Sequence, residues 1–223
     1  MKILFILTSH KELGDTGKET GFHLSEATKV WLPLTEAGHS VHFVSPKGGE
    51  CPVDAFDLDQ KVNKQVWETD EFQQGVKHTK RPSEVSAEDY DGVYFVGGHG
   101  AMWDLPDNEE IQQLTVGIYE NGGFVASICH GSAGYVNAKL SSGEYLVKDK
   151  KINCFTDEEE KSVELADTVP FLLTSRHQEH GAHLEYSDKM QAHVSVHERI
   201  LTGQNPASAT PLGHAIVSYL ANK

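Results

Sequence analysis

Cys129 sits in the segment Ala126-Ser127-Ile128-Cys129-His130-Gly131-Ser132-Ala133-Gly134. A histidine follows it, and small residues stand two places before it (Ser127) and two after (Gly131). An apolar run from Phe124 to Ile128 leads in, and a helical stretch from Gly131 to Ala138 leads out. This is the pattern of a nucleophile elbow with Cys in place of Ser, a turn too sharp for bulky neighbours. A thiol at a helix N-terminus would be favoured as thiolate by the dipole and the free N–H groups. The His130 N–H would be placed to donate to an oxyanion. The other two cysteines lack such a setting. Cys51 lies in the loop Gly48-Gly49-Glu50-Cys51-Pro52, and Cys154 falls in a short strand, Lys151 to Phe155, as a core residue. No Cys-x-x-Cys spacing suggests a metal, and no metal is expected.

A second turn, Val96-Gly97-Gly98-His99-Gly100, ends another apolar run, Gly92 to Val96. Glycines there let the backbone approach a ligand closely. The turn lacks the Lys and Ser/Thr of a phosphate-cradling loop, and no Gly-x-Gly-x-x-Gly fingerprint for a dinucleotide occurs. An oxyanion-hole N–H at Gly98, opposite that of His130, suits it better; a plain tight turn is the competing reading.

These turns need strands and helices to hold them. Ile3 to Leu7, Val41 to Ser45, Gly92 to Val96 and Phe124 to Ile128 are short continuous apolar runs, as expected of parallel strands covered on both faces. Amphipathic stretches alternate with them at Leu24 to Ala37, Asn108 to Asn121, Gly131 to Ala138 and Ala207 to Ala221. Asp107 or Asn108 suits an N-cap. Pro33 predicts a kink or an irregular helix start. The alternation implies a three-layer α/β sandwich with a mostly parallel central sheet, flavodoxin-like, whose chemistry lies at the C-terminal strand ends. Pro46 to Pro82 is polar and less regular, an excursion on a single domain spanning residues 1–223. Asp157-Glu158-Glu159-Glu160 alone reads as a solvated helix start.

Composition excludes several classes. With 33 acids against 19 Lys and Arg, the net charge is −14, so neither nucleic acid nor an anionic membrane surface is an expected partner. No apolar run approaches eighteen residues, and Ile3 to Leu7 lacks a following cleavage site, so neither a membrane span nor a secretory signal is expected. Three cysteines in 223 residues do not make a disulfide scaffold, and a reducing, cytoplasmic setting is expected.

The chain resembles the ThiJ/PfpI superfamily, similar in fold to class I glutamine amidotransferases, and within it the glutathione-independent glyoxalase branch (glyoxalase III, heat-shock protein 31-like). The resemblance runs through GFHLSEATKVWLPLTEAGHSVHFVSPKGG from Gly21, GGHGAMWDLPDN from Gly97, SICHGSAG from Ser127, FTDEEE from Phe155, VPFLL from Val169 and LTGQNPASA from Leu201. It implies Cys129 as nucleophile with His130 as partner. It implies a catalytic acid at Glu26, which otherwise reads as an exposed helix residue. A third acid falls at Glu160, with Glu159 a close second, and the oxyanion donors fall at the backbones of Gly98 and His130. The chain departs from the family at Ser132, where the family has Pro, and at His197-Glu198-Arg199, where it has Asp-Gly-Arg.

The activity so implied is a cofactor-free conversion of methylglyoxal or glyoxal, with water, to lactate or glycolate, a lyase of the D-lactate dehydratase type. Its partners would be a small reactive aldehyde and a second copy in a homodimer. A cysteine amidase, peptidase or deglycase, a holdase chaperone and a redox sensor are the alternatives on the same fold.

Overall fold

The computed structural model describes residues Met1 to Lys223. The first half contains β1 (Lys2–Ile6), β2 (Phe22–His23), α1 (Leu24–Glu36), β3 (Ser40–Val44), β4 (Val53–Asp54), α2 (Lys61–Trp67), α3 (Asp70–Lys77), β5 (Gly92–Phe95), α4 (Ala101–Asp104) and α5 (Glu109–Glu120). The second half contains β6 (Phe124–Ile128), β7 (Lys151–Ile152), α6 (Asp157–Ser162), α7 (Leu173–Glu179), β8 (His183–Leu184), β9 (Val194–His197), β10 (Ile200–Gly203) and α8 (Ala209–Ala221).

Six strands form the central sheet in the order β3-β1-β5-β6-β10-β9, parallel except for β9, which runs antiparallel to β10. Both faces are covered, which is why the inner strands β1, β5, β6 and β10 are buried at nearly every position rather than at every second one. On one face Ile3, Phe5, Leu7, Tyr94 and Ile128 pack under α1 and α8. On the other Leu4, Ile6, Phe95 and Val125 pack under α5. Side chains alternate along each strand, so a single apolar run feeds both layers.

β1, β3, β5 and β6 fall within a residue of their predicted bounds, and Asn108 caps α5 by accepting from Ile111 N–H at 3.0 Å. Four expectations are corrected. First, α1 runs unbroken through Pro33 to Glu36. Pro33 leaves the Lys29 carbonyl without its helical donor, but the helix ends one turn later. On that side α8 packs so closely that a Cβ on Gly213 would stand 2.7 Å from this carbonyl. Second, Pro46 to Pro82 contains α2 and α3, whose Val66, Phe72 and Val76 join the core beneath α1. Third, the strand at Lys151 ends at Ile152. Fourth, Gly131 to Ala138 is not an α-helix: a 3-10 helix spans Cys129–Tyr135, starting at the cysteine itself.

The late hairpin survives its departure from the family pattern. Glu198 stands in the glycine's place and adopts φ +54°, a conformation that costs a side-chain-bearing residue about 1–2 kcal/mol. Its carboxylate meets Lys150 Nζ at 2.7 Å.

Candidate active site

β5 and β6 are neighbours and end together, so their two glycine-bearing turns face each other. Cys129 leaves β6 with φ +55°, the strained backbone of an elbow. A Cβ on Gly131 would collide with the carbonyl of Phe95, which is why the position two beyond the nucleophile is glycine. Gly97 on the facing turn is equally constrained. A Cβ there would strike the Glu26 carboxyl and stand 2.6 Å from the Ile128 carbonyl and 2.9 Å from the Cys129 Cβ.

Glu26 reaches this point from the first turn of α1. Pairing of β2 with β4 sets the start of that helix, His23 N–H bonds the Gly97 carbonyl at 2.9 Å, and the Tyr94 hydroxyl donates to the Glu26 carbonyl at 2.8 Å. Glu26 is wholly buried, and neither carboxyl oxygen has a partner at full hydrogen-bond geometry. Burial pushes its carboxyl up to about 8, against weaker opposing interactions with the Cys129 thiol and the Gly97 N–H. It is therefore a protonated acid at neutral pH.

The Cys129 thiol is 4% exposed, and burial followed by the neighbouring Glu26 pushes it well above an ordinary thiol, against the pull of the His130 N–H. The expected helix-dipole thiolate is thus replaced by a buried thiol whose proton must be taken by a base. His130 supplies one, with Nδ1 3.3 Å from Sγ. Its Nε2 lies 2.6 Å from Glu160 Oε2. Burial, then His99, holds His130 down at about 4. Burial alone would raise Glu160, but hydrogen bonds from His130 and His99 bring it down to about 2. An ionised carboxylate only accepts, so His130 carries its proton on Nε2 and turns a bare Nδ1 towards the thiol.

Cys129, His130, Glu26 and Glu160 therefore meet in one place. Glu159 does not join them. It closes a capping box with Thr156 (Oε2 accepts from Thr156 N–H at 2.8 Å), while Oε1 takes the side-chain amides of Gln204 and Asn205 at 3.0 and 2.8 Å. Adjacent helical side chains diverge, so one acid faces the thiol side and the other the late loop. Both are buried, which corrects the reading of 157–160 as a solvated helix start. Gly98 adopts φ +111° against the Gly21–His23 segment, and its N–H takes no backbone partner. Cys51 and Cys154 are buried free thiols. Ser132 answers its departure from proline by pairing its hydroxyl with His177 Nε2 at 3.0 Å.

His99 is the residue that sequence reasoning passed over. Its Nε2 lies 2.8 Å from Glu160 Oε1, and its ring centroid is 4.0 Å from that of His130. The only sequence signal was its place between the glycines of Gly97-Gly98-His99-Gly100. The ligand atoms of His99, His130 and Glu160 lie within 4.8 Å of one another, a set that could hold a metal ion. Each already has a hydrogen-bond partner within the trio, so the geometry needs no ion to be satisfied.

Residues 18–218 match the DJ-1/PfpI family. The chain is 29% identical to Glyoxalase 3 of Candida albicans, covering 98% of each chain. It is 32% identical to the glutathione-independent glyoxalase HSP31 of Saccharomyces cerevisiae, over 99% of this chain and 98% of that one. The solved structure of glyoxalase III from Candida albicans superposes with a TM-score of 0.89 at 27% identity, covering 98% and 96%. That of the Rapid Encystment Protein of 24 kDa from Francisella tularensis gives 0.93 at 34%, covering 98% of both.

Proposed function

The chain belongs to the DJ-1/PfpI family, and from that premise we propose that it is a glutathione-independent glyoxalase, converting methylglyoxal or glyoxal and water to lactate or glycolate. One observation carries the reading. Cys129 has a base on one side, His130 Nδ1 at 3.3 Å, and a buried, proton-bearing carboxyl, Glu26, on the other. An amidase or peptidase needs the first pair only. Moving a hydrogen between adjacent carbons needs a second proton carrier beside the reacting carbons, and Glu26 stands there.

In the proposed sequence His130 Nδ1 takes the thiol proton, and Sγ adds to the aldehyde carbon as a C–S bond forms. Glu26 protonates the resulting alkoxide and becomes the carboxylate that the next step requires. The N–H groups of Gly98 and His130 support the oxygen while its charge develops. Glu26 then removes the C1 hydrogen of the hemithioacetal, leaving an enediolate whose C2 oxygen takes the proton that His130 carried from the thiol. The same carboxyl returns that proton to C2 and takes up the proton that the C1 hydroxyl gives up, so Glu26 ends protonated and His130 neutral, as they began. C1 is now oxidised to a thioester and C2 reduced to an alcohol, with no external electron donor. Water cleaves the thioester and restores the thiol. Glu160 fixes the tautomer and orientation of His130 throughout. The proposed activity is that of a lyase of the D-lactate dehydratase type, and we propose a cytoplasmic homodimer as its setting.

The test is lactate formation by purified protein from methylglyoxal without glutathione or metal. Production that depends on Cys129 supports the reading. Consumption of methylglyoxal into protein adducts without lactate refutes it.

A further inference from the structure

We propose that Asn63, on α2, is a positioning residue: its buried amide grips Ser25 and Thr28 on α1 and so holds the Glu26 carboxyl in place beside the thiol. The proposal rests on the reading of Glu26 as the proton carrier.

Nothing on the Glu26 carboxyl itself fixes its place, since neither oxygen has a partner at full hydrogen-bond geometry. Its position is set by the helical turn that carries it. That turn starts at His23, which supplies no side-chain cap. The Tyr94 hydroxyl holds one backbone point, the Glu26 carbonyl. The lateral hold comes from α2. Asn63, Ser25 and Thr28 are all buried, Asn63 and Thr28 completely. The Thr28 hydroxyl donates to Asn63 Oδ1 at 2.6 Å, and Asn63 Nδ2 donates to Ser25 Oγ at 2.9 Å. Asn63 Nδ2 also donates to the Asp57 carbonyl at 2.8 Å, and Gln60 Nε2 donates to Asp57 Oδ2 at 2.9 Å. The amide is thus anchored to its own loop as well as to α1. Ser25 and Thr28, three residues apart, share one face of the helix, and Glu26 is turned about 100° from Ser25. An amide bonded to both resists rotation of α1 about its axis. A side-chain tip about 5–6 Å from that axis moves about 1 Å for a rotation of about 10°. A displacement of about 1 Å in a reacting group can cost about 10²-fold in rate. The α2 segment thereby acts on the reaction through Glu26.

Thr28→Val keeps the shape of the side chain and removes one of the two bonds to α1; Asn63→Ala removes both. In the full-length protein, kcat with methylglyoxal should fall about tenfold in Thr28→Val and about 10²-fold in Asn63→Ala, while Cys129 reacts with iodoacetamide at the parent rate. A kcat unchanged in Thr28→Val overturns the proposal, and so does alkylation of Cys129 that falls in step with kcat. A second readout needs no substrate. A carboxyl released from its place can turn towards water or a donor. The rise in urea midpoint that Glu26→Gln gives at pH 7 should therefore shrink by about half in a Thr28→Val or Asn63→Ala background. A merely structural Asn63 gives additive midpoints instead, and additivity overturns the proposal. Thr28→Val decides both readouts where Asn63→Ala does not fold. A parent that makes no lactate removes the glyoxalase reading, and the midpoints then decide for Asn63.

Discussion

Glu26→Gln should make this protein more stable and nearly inactive, and both effects follow from one burial. In the folded chain the carboxyl holds its proton up to about 8, against 4.5 when free. Between these values the unfolded chain releases a proton that the folded chain keeps. The stability contributed by this group is full below 4.5 and is lost as pH rises towards 8, at about 1.4 kcal/mol per pH unit. At pH 7 the cost is about 3 kcal/mol, large against the 5–15 kcal/mol typical of a whole domain. Gln has the same size, is neutral at every pH and escapes this cost. Urea unfolding of parent and variant at pH 5, 6, 7 and 8 should show curves that diverge, the variant gaining about 3 kcal/mol between pH 5 and 7. Turnover of methylglyoxal should fall about 10²–10⁴-fold, because Gln cannot carry the C1 proton. Glu36→Gln, at the exposed end of the same helix, should alter neither. Stability curves that stay parallel from pH 5 to 8 would show Glu26 ionised in the fold, and the proton-carrier argument would fail with them.

Cys129→Ser should abolish lactate formation while shifting the thermal midpoint little, since the two side chains are nearly isosteric; retained turnover would end the covalent mechanism. Methylglyoxal deuterated at C1 should deliver most of its label to C2 of lactate, because Glu26 is wholly buried; complete washout, seen by mass spectrometry, would require a base open to water. Gly97→Ala should cost both stability and turnover, since its Cβ would stand 2.9 Å from that of Cys129; wild-type kinetics would mean that the turn is not packed on the thiol. Glu160→Gln should lower both kcat and stability at pH 7, since it removes a buried carboxylate that His130 and His99 hold down at about 2, whereas Glu159→Gln should destabilise by about 1–3 kcal/mol through a weakened capping box while the folded protein keeps its kcat; kcat distinguishes the two acids.

The elbow and the strands were legible because they are local. Buried parallel strands are apolar at consecutive positions, and a tight turn admits only small residues around Cys129, so both show in a few neighbouring letters. The resemblance supplied Glu26 and Glu160 from longer motifs, but no pattern within α1 or α6 distinguished them. Glu26 looks like any acid in a helical first turn. Only the packing of α1 on the sheet puts it under Gly97 and beside a thiol about a hundred residues away in the chain. Glu159 and Glu160 are neighbours of one type, and their roles separate only because one helix lies between the elbow and the late loop. The low pKa expected of the thiol failed for the same reason: dipole arguments are local, whereas desolvation depends on what the fold lays over Cys129. His99 stayed hidden because its partner, Glu160, comes from another strand connection. Its part in the site exists only where the ends of β5 and β6 bring both rings to a single carboxylate.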